Sequence, residues 1–123
     1  MVCNFRVIIF FRCTLIKQIN EAISLAKKLN KKILFDIDDL VFDQKYINKN
    51  PYLQTLSAYE RKNYRENADL IGKTLLLCEG VITSIEILGK ELKNYVPEIF
   101  INHNIASEKM WKLSENALEK NLK

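Results

Sequence analysis

The chain has 123 residues, of which 48% are hydrophobic and 28% charged, and its formal net charge is +4. This length supports one hydrophobic core, the composition excludes a disordered tail, and the scattered basic excess predicts no nucleic-acid partner and at most peripheral contact with a membrane. No apolar run approaches the ~20 residues that span a bilayer, so we expect a cytoplasmic protein.

The first half of the chain predicts strand, helix and strand. Residues 5–12 form a run that is apolar on both faces, which is typical of a strand buried in a parallel sheet. The following helix is predicted by apolar residues at spacings of three and four: Leu15, Ile19, Ala22, Ala26 and Leu29. Residues 32–35 then predict a second strand that leads directly into a group of aspartates.

The middle of the chain predicts a loop and a long helix. Asn50 followed by Pro51 indicates the start of this helix, because asparagine is a preferred cap and proline fits the first turn. Its apolar stripe reaches Cys78, and Gly80 is expected to end it.

Two further strands and two helices complete the alternation. Residues 81–83 predict the third strand, and Thr83 with Glu86 three residues later has the pattern of a capping box. Residues 98–102 predict the fourth strand, and Ser107 is the expected cap of a final helix.

This order predicts an α/β fold: a Rossmann-like parallel sheet of about four strands with alternating helices, in one domain over residues 1–123. If the strands pair in sequential order, right-handed crossovers place their helices on the same face. All four strands are nevertheless apolar on both faces. Either the last helix crosses to the other face or something absent from this chain covers it, so we expect part of a larger protein.

The polar segments of the sequence fall at the predicted carboxyl ends of the strands, where open parallel sheets bind their ligands. The stretch FDIDDLVFD places four aspartates within the eight residues 36–43. The candidate site residues at these ends are Arg12, Asp36, Asp38, Asp39, Ser84, Glu86, Asn102 and Asn104.

The aspartates have several open interpretations. A strand followed by D-x-D resembles haloacid-dehalogenase-type phosphatases, in which Asp36 would attack phosphate, Asp38 would be the acid/base, and Mg²⁺ would hold the group. Leu40 departs from that pattern, since Thr or Val is usual there. A D-x-D site for a hard cation is a second interpretation, although the all-parallel pattern argues against the enzymes that use it. The third is structural: Asp39 or Asp43 caps a helical turn.

The other candidates also have two interpretations each. Arg12 would neutralise the aspartates from the adjacent strand end or bind an anionic acceptor. Ser84 and Glu86 favour helix capping over substrate binding, and Asn102 and Asn104 favour turn formation.

The ordered set of motifs resembles bacterial glycosyltransferases of the GT-B type, in the large retaining family that includes many polysaccharide and rhamnan-type enzymes. The resemblance covers about residues 5–118. It lies in FFRCT, AKKLNKKILFDIDDLVFD, LSAYERKNYRENADLI, GVITSIEILGKEL and IFINHNIASEKMWKLSENAL. Two departures are TSIE in place of the family's STE and His103 in the middle of its N-x-N.

The resemblance implies an incomplete GT-B N-terminal domain, namely the second half of the acceptor-side domain. The implied reaction moves a sugar from a nucleotide-sugar to a glycan acceptor in polysaccharide biosynthesis, without an obligatory metal or other cofactor. Asp36, Asp38 and Asp39 would contact acceptor hydroxyls or order the loop that does so.

We expect the chain to be inactive alone, because the resemblance assigns donor binding to another domain. Whether this chain is itself an enzyme therefore stays open. Its expected partners are a glycan acceptor and a separately encoded donor-binding domain, in which case it would be the non-catalytic subunit of a split glycosyltransferase. Self-association through the uncovered sheet face is a further alternative.

Overall fold

The structure, a computed structural model, describes residues 4–104 and 107–121, with side chains up to residue 116. One four-stranded, all-parallel sheet has the order β1-β2-β3-β4, with the strands Val7–Phe11, Lys32–Asp36, Gly80–Thr83 and Glu98–Ile101. The helices α1 to α6 are Lys17–Lys28, Gln44–Ile47, Tyr52–Thr55, Ala58–Leu76, Glu86–Leu92 and Glu108–Asn121. The predicted α/β, Rossmann-like class is confirmed. Within the described ranges, none of the helices is long and apolar enough to cross a bilayer.

The core lies between one face of the sheet and the helices α1, α4 and α5. Phe35 and Val81 are neighbours in the β2–β3 register, and both are fully buried. They belong to one apolar cluster with Ile23 of α1, Leu75 of α4 and Leu92 of α5. The three helices therefore share one side of the sheet, as right-handed crossovers between sequential parallel strands require.

The opposite side, here called the open face, carries the side chains of Val7, Ile9, Phe11, Leu34, Ile82 and Phe100. In β1, residues with exposed side chains alternate with half-buried ones, so the prediction of a strand buried on both faces is wrong. The reason is that β1 is an edge strand whose partner helices cover one side only. The last helix does not cross over, because every described side chain of residues 107–116 is exposed.

The long helix α4 begins later than expected. Its N-cap is Ser57, whose hydroxyl accepts a hydrogen bond from the Glu60 backbone N–H, while the Glu60 carboxylate accepts one from the Ser57 N–H at 2.9 Å. Asn50 instead accepts a backbone hydrogen bond at the start of the short helix α3. The helix ends at Leu76, and Gly80 is the first residue of β3 and not the helix stop.

The capping box predicted at Thr83 and Glu86 does not form. The helix α5 begins after Ile85 without a side-chain cap, and the buried Thr83 hydroxyl has no hydrogen-bond partner within the described ranges. The Glu86 carboxylate lies 3.1 Å from Nε2 of His103. The cap predicted at Ser107 is confirmed, since its hydroxyl accepts from a backbone N–H in the first turn of α6.

A side chain at Gly80 would collide with the neighbouring strand. A Cβ there would lie 2.9 Å from the Glu98 Cβ and 3.0 Å from the Glu98 backbone oxygen. Because strand backbone cannot yield as a side-chain tip can, we expect Gly80→Ala to lower the free energy of unfolding by about 1–3 kcal/mol, measured by urea denaturation.

Gly72→Ala is the matched control. A Cβ at Gly72, inside α4, would meet Phe42 at 3.4 Å, which is ordinary van der Waals contact. Alanine also has the better helix propensity, so stability should stay unchanged or rise by up to about 1 kcal/mol. Equal losses from the two substitutions would contradict the close approach at Gly80.

Candidate functional site

An open cavity of about 470 Å³ lies at the carboxyl end of the sheet, and it is called the loop cavity below. The loop between β2 and α2 contributes residues 38–41 to its lining. The remaining walls include Tyr46 of α2, Tyr64 of α4, and Ile87 and Glu91 of α5. Acidic side chains from the loop therefore face a wall that is largely apolar and partly aromatic.

Asp43 holds this loop in place. One of its carboxylate oxygens accepts a hydrogen bond from the Lys45 backbone N–H at 2.8 Å and caps α2. The other accepts from the Tyr95 hydroxyl at 2.5 Å, and the Tyr95 ring packs edge-on against Phe42 with centroids 5.1 Å apart. Of the two aspartates for which a capping role was open, Asp43 therefore has it.

Arg12 and Asp39 form an ion pair across adjacent strand ends. The β1–β2 register continues to the Arg12 N–H, which donates to the Asp36 carbonyl at 3.1 Å. Arg12 itself has a left-handed backbone, with φ of 41°, so the chain turns away directly at the strand end. Its guanidinium Nη2 lies 3.1 Å from Oδ2 of Asp39. Of the two roles that the sequence left open for Arg12, neutralisation of an aspartate and binding of an anionic acceptor, this contact supports the first.

The second carboxylate oxygen of Asp39 is unpaired. Oδ1 is shielded from solvent and has no hydrogen-bond partner in the part of the chain that the structure describes. A carboxylate oxygen in this state is a strong acceptor that lacks a donor. Asp39 thus has one oxygen in contact with Arg12 and one without a donor among the described residues.

The remaining two aspartates, Asp36 and Asp38, lie in different places, one on the strand and one on the loop that follows it. Asp38 is exposed and lines the loop cavity beside Asp39. Asp36 is the last residue of β2, in the register position that faces the open side of the sheet, and it does not line the cavity. Partial burial, and secondly the negative charge of Asp38, raise the pKa of the Asp36 carboxyl.

The carboxylates of Asp36, Asp38 and Asp39 do not form a metal site within residues 4–104 and 107–121. No group of three or more His, Cys, Asp or Glu side chains is placed there to hold a metal ion. Hard cations such as Mg²⁺ need several oxygen ligands around one point. The phosphotransferase alternative therefore has less geometric support, since Asp36 and Asp38 do not share the cavity.

The other predicted residues lie apart from the loop cavity. Glu86 contacts His103, and the Asn102 N–H donates to the Thr83 carbonyl at 2.8 Å, which extends the β3–β4 pairing. Ser84 is half-buried and Asn104 is exposed, and neither lines the cavity. The structure thus unites Arg12, Asp38 and Asp39 and leaves Asp36 beside them; the other four candidates do not join this group.

The sequence patterns do not reveal the apolar walls. Ile85 stands at helical spacing from Leu88 and Leu92 and so fits a core position, yet it is exposed at the cavity. Ile87 is 75% exposed, and Tyr46 belongs to a helix of only four residues. The available signal was the presence of large apolar residues directly after a strand end, but only the tertiary arrangement shows which cavity they line.

Comparison with known proteins gives no match: no family model, no curated protein and no solved structure matches this chain. The fold and the site alone define the class. This is an α/β protein with a parallel sheet whose carboxyl edge carries an acidic cavity with aromatic and aliphatic walls.

Removing the Tyr95 hydroxyl tests how the site loop is held. Tyr95→Phe keeps the packing against Phe42 but removes the hydrogen bond to Asp43, and we expect a loss of about 1–2 kcal/mol in unfolding free energy at pH 7. Tyr59→Phe, at a position that is 74% exposed, is the control and should change nothing. Equal effects of the two substitutions would argue against the anchoring role.

The same hydrogen bond has a defined pH dependence. The Asp43 carboxylate, together with burial, raises the pKa of Tyr95 from 10.0 to about 12. The fold favours the protonated phenol of Tyr95. The contribution of this hydrogen bond to the free energy of unfolding is therefore fully present below pH 10.0 and is lost as the pH rises towards about 12. Tyrosinate absorbance during an alkaline titration should therefore show one late-titrating tyrosine that is missing in Tyr95→Phe.

Asp36→Asn tests how much the ionised carboxylate at the end of β2 destabilises the fold. The pKa of Asp36 is raised above its ordinary value of 3.8, so the folded state binds this proton more tightly than the unfolded state. The ionised form at neutral pH therefore disfavours folding. We expect the asparagine variant to be more stable at pH 7 by about 0.5 kcal/mol or less.

This gain should shrink as the pH falls through the raised pKa and vanish below 3.8, where the carboxyl is protonated in both states. Urea midpoints over this pH range measure it. Asp69→Asn, which removes an exposed ion pair with Lys73, is the control and should bring no gain. A lower midpoint of Asp36→Asn at pH 7 would show that the carboxylate stabilises the fold.

Proposed function

We propose that this chain is the acceptor-side part of a cytoplasmic GT-B-type glycosyltransferase of polysaccharide biosynthesis, and that the loop cavity binds the sugar acceptor. One observation carries the proposal: acidic side chains, of which Asp39 is paired with Arg12, and an aromatic, aliphatic wall face each other across an open cavity at the carboxyl edge of the sheet. The ordered motifs of the sequence, which resemble that family, support the same conclusion.

The two sides of the loop cavity suit the two kinds of surface on a sugar ring. Hydroxyl groups donate to carboxylate oxygens, and Asp38 and Asp39 supply these acceptors. The apolar C–H patches of the ring would pack against Tyr46, Tyr64 and Ile87. A volume of about 470 Å³ is within the range of small-ligand sites.

The ion pair with Arg12 prepares Asp39 for this task. Because Oδ2 is held at 3.1 Å from the guanidinium, the carboxylate orientation is fixed before a ligand arrives. The unpaired Oδ1 then requires a donor, and a sugar hydroxyl is one. A small opening movement of the loop would give the hydroxyl access to this shielded atom.

The charge of the cavity favours an acceptor over a donor or a phosphate ester. Asp38, Asp39 and Glu91 line it, and the adjacent cation in contact with this set is Arg12. The site is therefore net negative and would repel the diphosphate of a nucleotide-sugar. Sugar transfer would accordingly need a second, donor-binding domain, and we propose that this chain alone binds the acceptor without transferring sugar.

Ligand titration tests the proposal. Saturation-transfer NMR and calorimetry would use methyl glycosides of neutral hexoses as acceptor probes, with uridine diphosphate and Mg²⁺ as competing probes. We expect weak binding of at least one glycoside and none of the nucleotide. Asp38→Asn and Tyr46→Ala should each weaken glycoside binding by about tenfold, the effect of losing one hydrogen bond or packing surface.

Asp69→Asn and Tyr59→Ala are the matched controls, because both residues belong to α4 and neither lines the cavity. The absence of glycoside binding, or equal losses in the controls, would contradict the proposal. Mg²⁺ binding that Asp36→Asn abolishes would favour the phosphotransferase alternative instead.

A further inference from the structure

Two apolar surfaces of this chain have no partner within the described residues. One is the open face of the sheet, on which Ile9 is 53% and Phe11 is 68% exposed. The other is one side of α6, where Met110, Trp111 and Leu113 are exposed, Trp111 at 64%. Clusters of exposed apolar side chains on a soluble protein often mark an interaction surface.

The helix α6 is built to pack against an apolar surface. At 100° per residue, Met110, Trp111 and Leu113 fall on one half of the helix, and the ion pair between Glu108 and Lys112 lies on the other. A helix of this length is marginal in water without packing, since most helical stability in proteins comes from burial of such a face.

The open face has the dimensions and the composition to receive that helix. The 14 residues of α6 extend for about 21 Å, and strands of four or five residues for about 13–17 Å. Two of its charged residues, Lys32 and Glu98, are the first residues of β2 and β4, and they are paired at a distance of 2.5 Å. Asp36, the last residue of β2, also faces this side and has no ion-pair partner among the described residues, so its carboxylate has to remain at the solvent-exposed rim of a helix placed there. Parallel sheets are usually covered by helices on both faces, and none of the described side chains of a helix covers this face.

We propose that the chain forms a symmetric dimer in which α6 of each copy lies on the open face of the other. The described side chains of α6 are exposed and so do not cover the open face of their own chain, which carries both complementary surfaces. Two copies therefore close a reciprocal interface with two-fold symmetry. The exposed apolar side chains on both surfaces would bury on the order of 1,500 Å² in total, the size of a standard stable interface.

This dimer does not depend on the proposed sugar binding, because the open face and α6 lie outside the loop cavity. Its test uses the single tryptophan of the sequence, Trp111, as a reporter of α6 burial. Sedimentation velocity and tryptophan emission would be measured on the full chain over a range from about 0.5 to 200 μM, a span on either side of micromolar affinity.

We expect twice the mass of the 14.4 kDa chain at high concentration, with an emission shift to shorter wavelength that follows the same concentration dependence. Ile9→Glu on the open face and Leu113→Glu on α6 should each weaken dimerisation by about 100-fold or more, because each buries an unpaired charge. Tyr59→Glu, at an exposed position of α4, is the control and should leave the dimer intact. Circular dichroism verifies that each variant is folded.

Each other outcome overturns the proposal. A monomer with short-wavelength emission at every concentration would show that α6 folds onto the open face of its own chain. A monomer with long-wavelength emission would show that neither surface is covered by a second copy. A dimer that survives both Ile9→Glu and Leu113→Glu would use another surface.

Discussion

The handedness of the β-α-β crossover is the constraint on which the rest of this structure depends. Because four parallel strands pair in sequential order, each crossover helix returns on the same side of the sheet. The core therefore forms on that side, around Phe35 and Val81, and the other side stays open. The same order brings the carboxyl ends of all four strands to one edge, so the polar segments of the sequence meet there.

Four aspartates at this edge are tolerated because each has a different environment. Asp43 accepts two hydrogen bonds, and Asp39 is paired with Arg12. Asp38 is exposed to water, which screens it, whereas Asp36 bears the remaining cost in a raised pKa. The chain separates the charges by ending β2 at Asp36, which puts the first aspartate on the sheet and the others on the loop.

The sequence predicts the order and type of the main elements, because strand and helix periods alternate clearly and right-handed crossovers limit the topology. It also places Arg12, Asp38 and Asp39 at the carboxyl edge, since strand ends in a parallel sheet share an edge, but it places five further candidates there that lie outside the loop cavity. Local sequence motifs do not predict the start of a helix correctly where the same motif occurs at two positions. Ser57-x-x-Glu60 and Thr83-x-x-Glu86 are both capping-box sequences, yet only the first forms, because Thr83 is still paired in β3 and the helix begins three residues later. The burial of β1 and the walls of the loop cavity depend on which elements lie opposite, and no local pattern contains that information.

The open face and the loop cavity are two consequences of one arrangement with different physical requirements. The loop cavity is acidic and its loop is held by directional contacts, which is the basis for the proposed reversible binding of a neutral, hydroxyl-bearing ligand. The open face is largely apolar, with Lys32 paired to Glu98 and Asp36 at its carboxyl end, and the proposed dimer would bury its apolar part. Because the strand ends form an edge and the open face is a side of the sheet, occupation of one leaves the other accessible. In the proposed dimer the open face would be covered while the strand ends remain free for the proposed ligand.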